Sequence, residues 1–210
     1  MNTTILSLSD KVEAEFYDPE TRNRLPKLTC ILGCGDLPYH YLEQVSTLLN
    51  TRLFFVHGNH DPLLEYGENQ VRSQPLGAIN LHGNVVRHKG LLLAGVQGSI
   101  RYNPRDVYQY TQKEMWHTVL RLVPGLLWNR LSRGRYLDIL VTHAPPLGIH
   151  EGTDFPHSGI AAFRWLLKTF TPKLHLHGHI HVYDAATPVD TRFGATRVIN
   201  TYGHRITSLP

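Results

Sequence analysis

Two apolar runs with an amphipathic stretch between them set the strongest constraint on how this chain can fold. Leu28 to Gly33 and Arg52 to Val56 read as buried strands, and between them Tyr41, Val45, Leu48 and Leu49 share one helical face. Pro38 suits the first turn of that helix and Asp36 its cap, and the helix is predicted to run to about Leu49. A strand, a helix and a strand over so short a length make a crossover, which requires parallel neighbours. Both runs also stop at polar donors, the first in Gly35-Asp36-Leu37-Pro38-Tyr39 and the second in Gly58-Asn59-His60-Asp61. In open α/β sheets ligands bind beyond the carboxyl ends of the strands. Gly-Asn and His-Asp-Pro are ordinary turn residues as well, so the weight of these motifs depends on the other strand ends.

Those ends repeat the pattern. Thr3 to Leu8 is a β-rich run closed by Ser9-Asp10, Tyr136 to Val141 leads into Thr142-His143, and Lys173 to His177 leads into Gly178-His179-Ile180-His181. Elsewhere Asn84 to His88 and Leu91 to Gln97 are expected to form a hairpin about Lys89-Gly90. Arg101 to Arg133 reads as two helices interrupted at Pro124-Gly125, Gly159 to Phe170 as an amphipathic helix, and Thr196 to Asn200 as a strand. Lys11 to Pro26 and Leu63 to Gln74 are polar and irregular. With no repeat and no linker, residues 1–210 are expected to form a single α/β domain.

Composition narrows the functional classes. Apolar residues make up 41% of the chain, which argues against disorder, and no run approaches a membrane span. Met1 to Ile5 lacks the basic region and apolar core of a secretory signal, so a cytoplasmic protein is expected. Cys30 and Cys34 lie on one predicted strand, about 13 Å apart at the usual rise, and cannot bond to each other. The net charge of +4 comes from scattered Lys and Arg, which leaves nucleic acid possible but not favoured as a partner. The 14 histidines point further, because His143, His175, His177, His179 and His181 gather at two strand ends.

If the strands are neighbours, Asp10, Asp36, Asn59, His143, His179 and His181 converge on one rim of the sheet. Carboxylates, an amide oxygen and imidazoles are a mixed donor set that suits Mn, Fe or Zn. The donors exceed the need of one tetrahedral ion, so two ions sharing one carboxylate are the natural count. In this order the motifs, from Asp10 to His181, resemble the calcineurin-like metallophosphoesterase superfamily. That resemblance implies an α/β sandwich of two mixed β-sheets flanked by helices, acting on phosphomonoesters or phosphodiesters by attack of a metal-bridging hydroxide. It also implies roles. Asp36 would bridge two transition-metal ions, with Asn59, His143 and His179 completing one site and Asp10 and His181 belonging to the other. His60 would be the general acid that protonates the departing oxygen.

One position departs from the family pattern. The family commonly begins Asp-x-His, whereas Val12 stands third here and ligates nothing. Tyr39 is a candidate replacement, because Gly-Asp-x-x-Tyr resembles the purple acid phosphatase branch, in which the tyrosine is a ligand; an aromatic packing at a helix start is the alternative. Arg101 could grip a substrate phosphate through its planar fork, or form a surface ion pair. His57 and His177 could orient ligands, and His150, Asp154 and His157 could line the entrance. The partner implied is a small phosphorylated substrate. Two rivals stay open: a nuclease, and a catalytically weak metal-binding scaffold whose first metal site is incomplete.

Overall fold

A computed structural model describes residues 3–67 and 71–209. Two mixed sheets stack face to face. The first has the strand order Gly203–Leu209, Thr3–Ser9, Cys30–Gly33, Leu53–Phe55 and Ile79–Asn80. The second runs Asp190–Phe193, Thr196–Asn200, Leu174–His177, Ile139–Thr142, Leu91–Val96 and Val85–His88. Thr3–Ser9, Cys30–Gly33 and Leu53–Phe55 are parallel neighbours, as the crossover requires, and so are Leu91–Val96, Ile139–Thr142 and Leu174–His177.

Three apolar layers hold the stack. Ile5, Leu32, Phe54, Val56, Leu93, Val141 and Leu176 fill the space between the sheets. Helix Tyr39–Leu49 covers the outer face of the first sheet through Tyr41, Leu42 and Val45. Helices Gln112–Arg133 and Ala161–Phe170 cover the second through Met115, Val119, Phe163 and Leu166. Each buried side chain of this size contributes about 1.5–3 kcal/mol of transfer free energy. The hairpin forms where its turn predicts, with Lys89 and Gly90 both at positive φ. Cys30 and Cys34 are buried free thiols, each pushed up to about 12 by burial.

The structure corrects several expectations. Gln112–Arg133 is one helix, and residues 101–110 lie outside it. Its start is fixed by a capping box, in which Thr111 Oγ1 accepts from Glu114 N while Glu114 accepts from Thr111 N. Pro124 is tolerated within it, and Gly125 serves close packing rather than a break: a Cβ there would lie 2.9 Å from Val85 Cγ2. Asp36 does not cap the helix at Tyr39. Glu65 does, its two oxygens accepting from Tyr39 N at 2.8 Å and His40 N at 3.1 Å. Glu65 lies in a stretch expected to be irregular, where Glu65–Tyr66 pairs with Val71–Arg72. Arg135 is bound to the buried Asp138 at 2.9 Å.

Gly125 generates a test whose sign is the reverse of the usual one. An alanine normally stabilises a helix over glycine by about 0.8–1 kcal/mol. Here the clash with the stiff Val85 side chain makes Gly125→Ala destabilising by about 1 kcal/mol in urea denaturation. In a Val85→Ala background the same substitution should become neutral or stabilising.

Candidate metal centre

The parallel strands of both sheets deliver their carboxyl ends to one rim, and the backbone there is shaped to turn side chains inward. Asp10, Asp36 and His179 all adopt positive φ, at 62°, 56° and 68°. Such conformations cost of order 1–3 kcal/mol each and persist where the surroundings over-determine them. The motif glycines permit the close approach. A Cβ on Gly58 would lie 1.9 Å from Asp36 Oδ1, and one on Gly178 would lie 2.4 Å from Asp10 Oδ2.

Asp10, Asp36 and His143 form the centre of the cluster, with one donor atom from each within 4.8 Å of the others. His143 is fully buried, and its Nδ1–H donates to the Cys34 carbonyl at 2.8 Å, which turns Nε2 toward the carboxylates. Nε2 lies 3.3 Å from Asp36 Oδ2 and 2.9 Å from Asn59 Oδ1. Both ring nitrogens therefore act as donors in the metal-free protein. Burial opposes that charge, but the Asp36 carboxylate outweighs it and raises His143 to about 9. Burial likewise raises Asp36, and the His143 charge and hydrogen bond overcome it to leave Asp36 at about 2.

The other imidazoles surround this pair. His179 donates its backbone N–H to both Asp10 oxygens, at 3.1 and 3.0 Å, and its Nε2–H to the Pro156 carbonyl at 3.0 Å. Its Nδ1 keeps a lone pair, and burial lowers its pKa to about 4, so it is neutral and ready to ligate. The His143 and His179 ring centroids are 4.9 Å apart. His181 Nε2 is 3.7 Å from Asp10 Oδ1, and the nearby carboxylate raises its pKa. His60 is exposed, its backbone N–H donating to Asp36 Oδ1 at 2.8 Å. A cleft of about 260 Å³ opens over the cluster, lined by Asp36, His60, Tyr102, Pro156, His157, His179 and His181. A larger hollow bounded by Arg22, Lys27, Arg52 and Lys89 contains none of these donors.

Two predicted site residues are placed elsewhere. Tyr39 is fully buried, and its hydroxyl donates to the Pro62 carbonyl at 2.5 Å and lies 3.2 Å from His57 Nδ1. With its hydroxyl engaged in this way the phenol is a packed helix-start aromatic, and burial and the nearby Asp61 raise its pKa. Arg101 is held by Glu114 at 2.9 and 3.1 Å and by the Gln109 carbonyl at 3.2 Å, and is not free to clamp a phosphate. Val12 is exposed and supplies no donor. Asp61, beyond the predicted ligands, carries unexpected weight. Its carboxylate accepts from Gly58 N at 2.9 Å and Leu37 N at 3.2 Å, joining the two motif loops. His57 stacks on Tyr108 at 4.3 Å, and His177 is 2.9 Å from His150, so both are satisfied core histidines.

The donors fit a transition-metal cation. Two carboxylates and an amide oxygen gathered against an imidazole need a positive charge, which in the metal-free protein is the proton on His143. Residues 23–183 match a family model described as calcineurin-like phosphoesterase. No curated protein sequence matches the chain. Among solved structures, TT1561 of Thermus thermophilus is similar at 19% identity and a TM-score of 0.61, over 97% of this chain and 90% of that one. The phosphopantetheinyl hydrolase PptH from Mycobacterium tuberculosis is similar at 13% identity and 0.54, over 96% and 89%. GAP50, described as the anchor in the inner membrane complex of Plasmodium, is similar at 15% identity and 0.52, over 96% and 71%. These likenesses are of fold. No helix among the described residues is long and apolar enough to cross a membrane.

Because a ligating His143 must give up its Nε2 proton, metal should compete with that proton. Affinity for Mn or Zn should rise with pH up to about 9 and weaken below it. Calorimetry in two buffers of different ionisation enthalpy should register about one proton released per first ion bound at pH 7.

Proposed function

Given that this chain belongs to the calcineurin-like phosphoesterase family, we propose that it hydrolyses small phosphomonoesters or phosphodiesters at a centre of two Mn, Fe or Zn ions, with His60 as the general acid. The observation that carries this reading is the convergence of Asp10, Asp36 and His143 from three strand ends, beneath a cleft on which His60 also opens. Asp36 would be shared between the ions, with Asn59, His143 and His179 on one and Asp10 and His181 on the other. The second half is the weaker, because Val12 leaves it a donor short. Bound there, the ions supply Lewis acidity toward phosphoryl oxygens and make water nucleophilic near neutral pH.

The protein's own groups do the rest. Asp36 fixes the His60 backbone, and His60 lines the cleft beside Asp36, the carboxylate that two ions would share. As the bond between phosphorus and the departing oxygen breaks, that oxygen keeps the bonding pair and takes a proton from His60. His143 and His179 are oriented by the Cys34 and Pro156 carbonyls, which fix one nitrogen of each ring and leave His143 Nε2 and His179 Nδ1 as the nitrogens that would ligate. Among the described residues the cleft lining contains neither Lys nor Arg, which supports a small ester over a polynucleotide.

Chelation should abolish turnover of an aryl phosphate monoester or diester, and added Mn, Fe or Zn should restore it. His60→Ala should lower kcat by about 10²–10⁴ while elemental analysis finds the metal content unchanged. Unchanged kcat would remove His60 from the acid role. A metal-loaded protein inert toward both ester classes would overturn the phosphoesterase reading.

A further inference from the structure

One side chain in the cleft has a hydroxyl held by an amide on one side and met only at the limiting distance of 3.5 Å by the His60 imidazole on the other. Tyr102 Oη accepts from Asn59 Nδ2 at 3.1 Å. The direction of that bond is set by the network, since Asn59 Oδ1 faces His143 Nε2 and the amide nitrogen must face Tyr102. A phenol that accepts from an amide keeps its own proton for another acceptor. His60 Nε2 lies 3.5 Å away, and the two residues share the cleft with Asp36, His179 and His181.

The position is built from beneath. Gln109 is buried, and its Oε1 accepts from Tyr102 N at 3.0 Å and Asn103 N at 2.9 Å. Its Nε2 donates to Asp106 at 2.6 Å, and Asn103 Nδ2 donates to the same carboxylate at 3.0 Å. The loop that carries Tyr102 is thus clasped at its base. Arg101, the adjacent residue best suited to hold phosphate, is committed to Glu114. Among the described residues of the lining there is no Lys or Arg, and Tyr102 bears its one hydroxyl.

Building on the phosphoesterase reading, we infer that Tyr102 is a substrate-contacting residue that donates its phenolic hydrogen to a non-bridging oxygen of the phosphoryl group. The bond strengthens as charge builds on that oxygen in the transition state, as expected of a preorganised donor in a partly desolvated site. This role is distinct from that of His60, which serves the departing oxygen.

Tyr102→Phe removes the hydroxyl and keeps the ring. In the metal-loaded protein, kcat/KM should fall about tenfold to a hundredfold, by the same factor across aryl phosphates of graded leaving-group pKa. His60→Ala should lose more as the leaving group worsens. Calorimetry should find the affinity for inorganic phosphate lowered about tenfold by Tyr102→Phe, with metal content and Tm at wild-type values. Unchanged turnover and phosphate affinity would overturn the inference. So would a loss that grows with leaving-group pKa, which places Tyr102 in the service of His60, or a loss accompanied by metal, which makes it a support for Asn59. If the wild type hydrolyses none of the esters while Tyr102→Phe still weakens phosphate binding, the phosphoesterase reading falls and the phosphoryl contact stands.

Discussion

His143 ties the two sheets together across the rim where the chemistry is gathered. It leaves the end of a strand in the second sheet, donates to the carbonyl of Cys34 at a strand end of the first, and points its other nitrogen at Asp36 and Asn59. The cross-sheet bond can form only because the apolar layer of Ile5, Leu32, Phe54, Val56, Val141 and Leu176 brings the sheets face to face. Packing sets the distance and the buried hydrogen bond sets the direction.

The centre is held against real opposing costs. Three of its residues sit in left-handed backbone conformations, two carboxylates lie close to each other, and Gly58 and Gly178 forgo side chains so that Asp36 and Asp10 can fit. None of this serves stability by itself. A buried, charged His143 would be unfavourable but for Asp36, and the pair is stable as an ion pair only because each compensates the desolvation of the other. A metal cation would satisfy the same carboxylates and release the proton. Asp61 stiffens the arrangement by joining the Gly58 and Leu37 backbones, which are far apart in sequence.

Much of the fold was legible because the relevant signals are local. The hairpin about Lys89-Gly90 needs positive φ at its turn and a glycine there, and the crossover from Cys30 to Phe55 needs only periodicity and a length. The misread elements are those where a distant partner overrides the local signal. Pro124-Gly125 breaks helices in isolation, yet here Val85 packs on Gly125 and the helix continues. Glu65, rather than Asp36, satisfies the first amides of the helix at Tyr39, because Asp36 is already bound to His60 N and His143.

Tyr39 and Arg101 show the same limit within the site. Residue type and spacing qualified the phenol as a ligand and the guanidinium as a clamp, but Pro62 and Glu114 occupy them. Tyr102, which carries no motif, arrives at the cleft because the buried Gln109 folds its loop inward. By itself the sequence determined the strand ends, the donor types on them and therefore the family, since those depend on chemistry repeated at local positions. Only the tertiary structure decided which donors face one another and which are already engaged, because hydrogen-bond partners are assigned by contacts between residues that the chain keeps far apart.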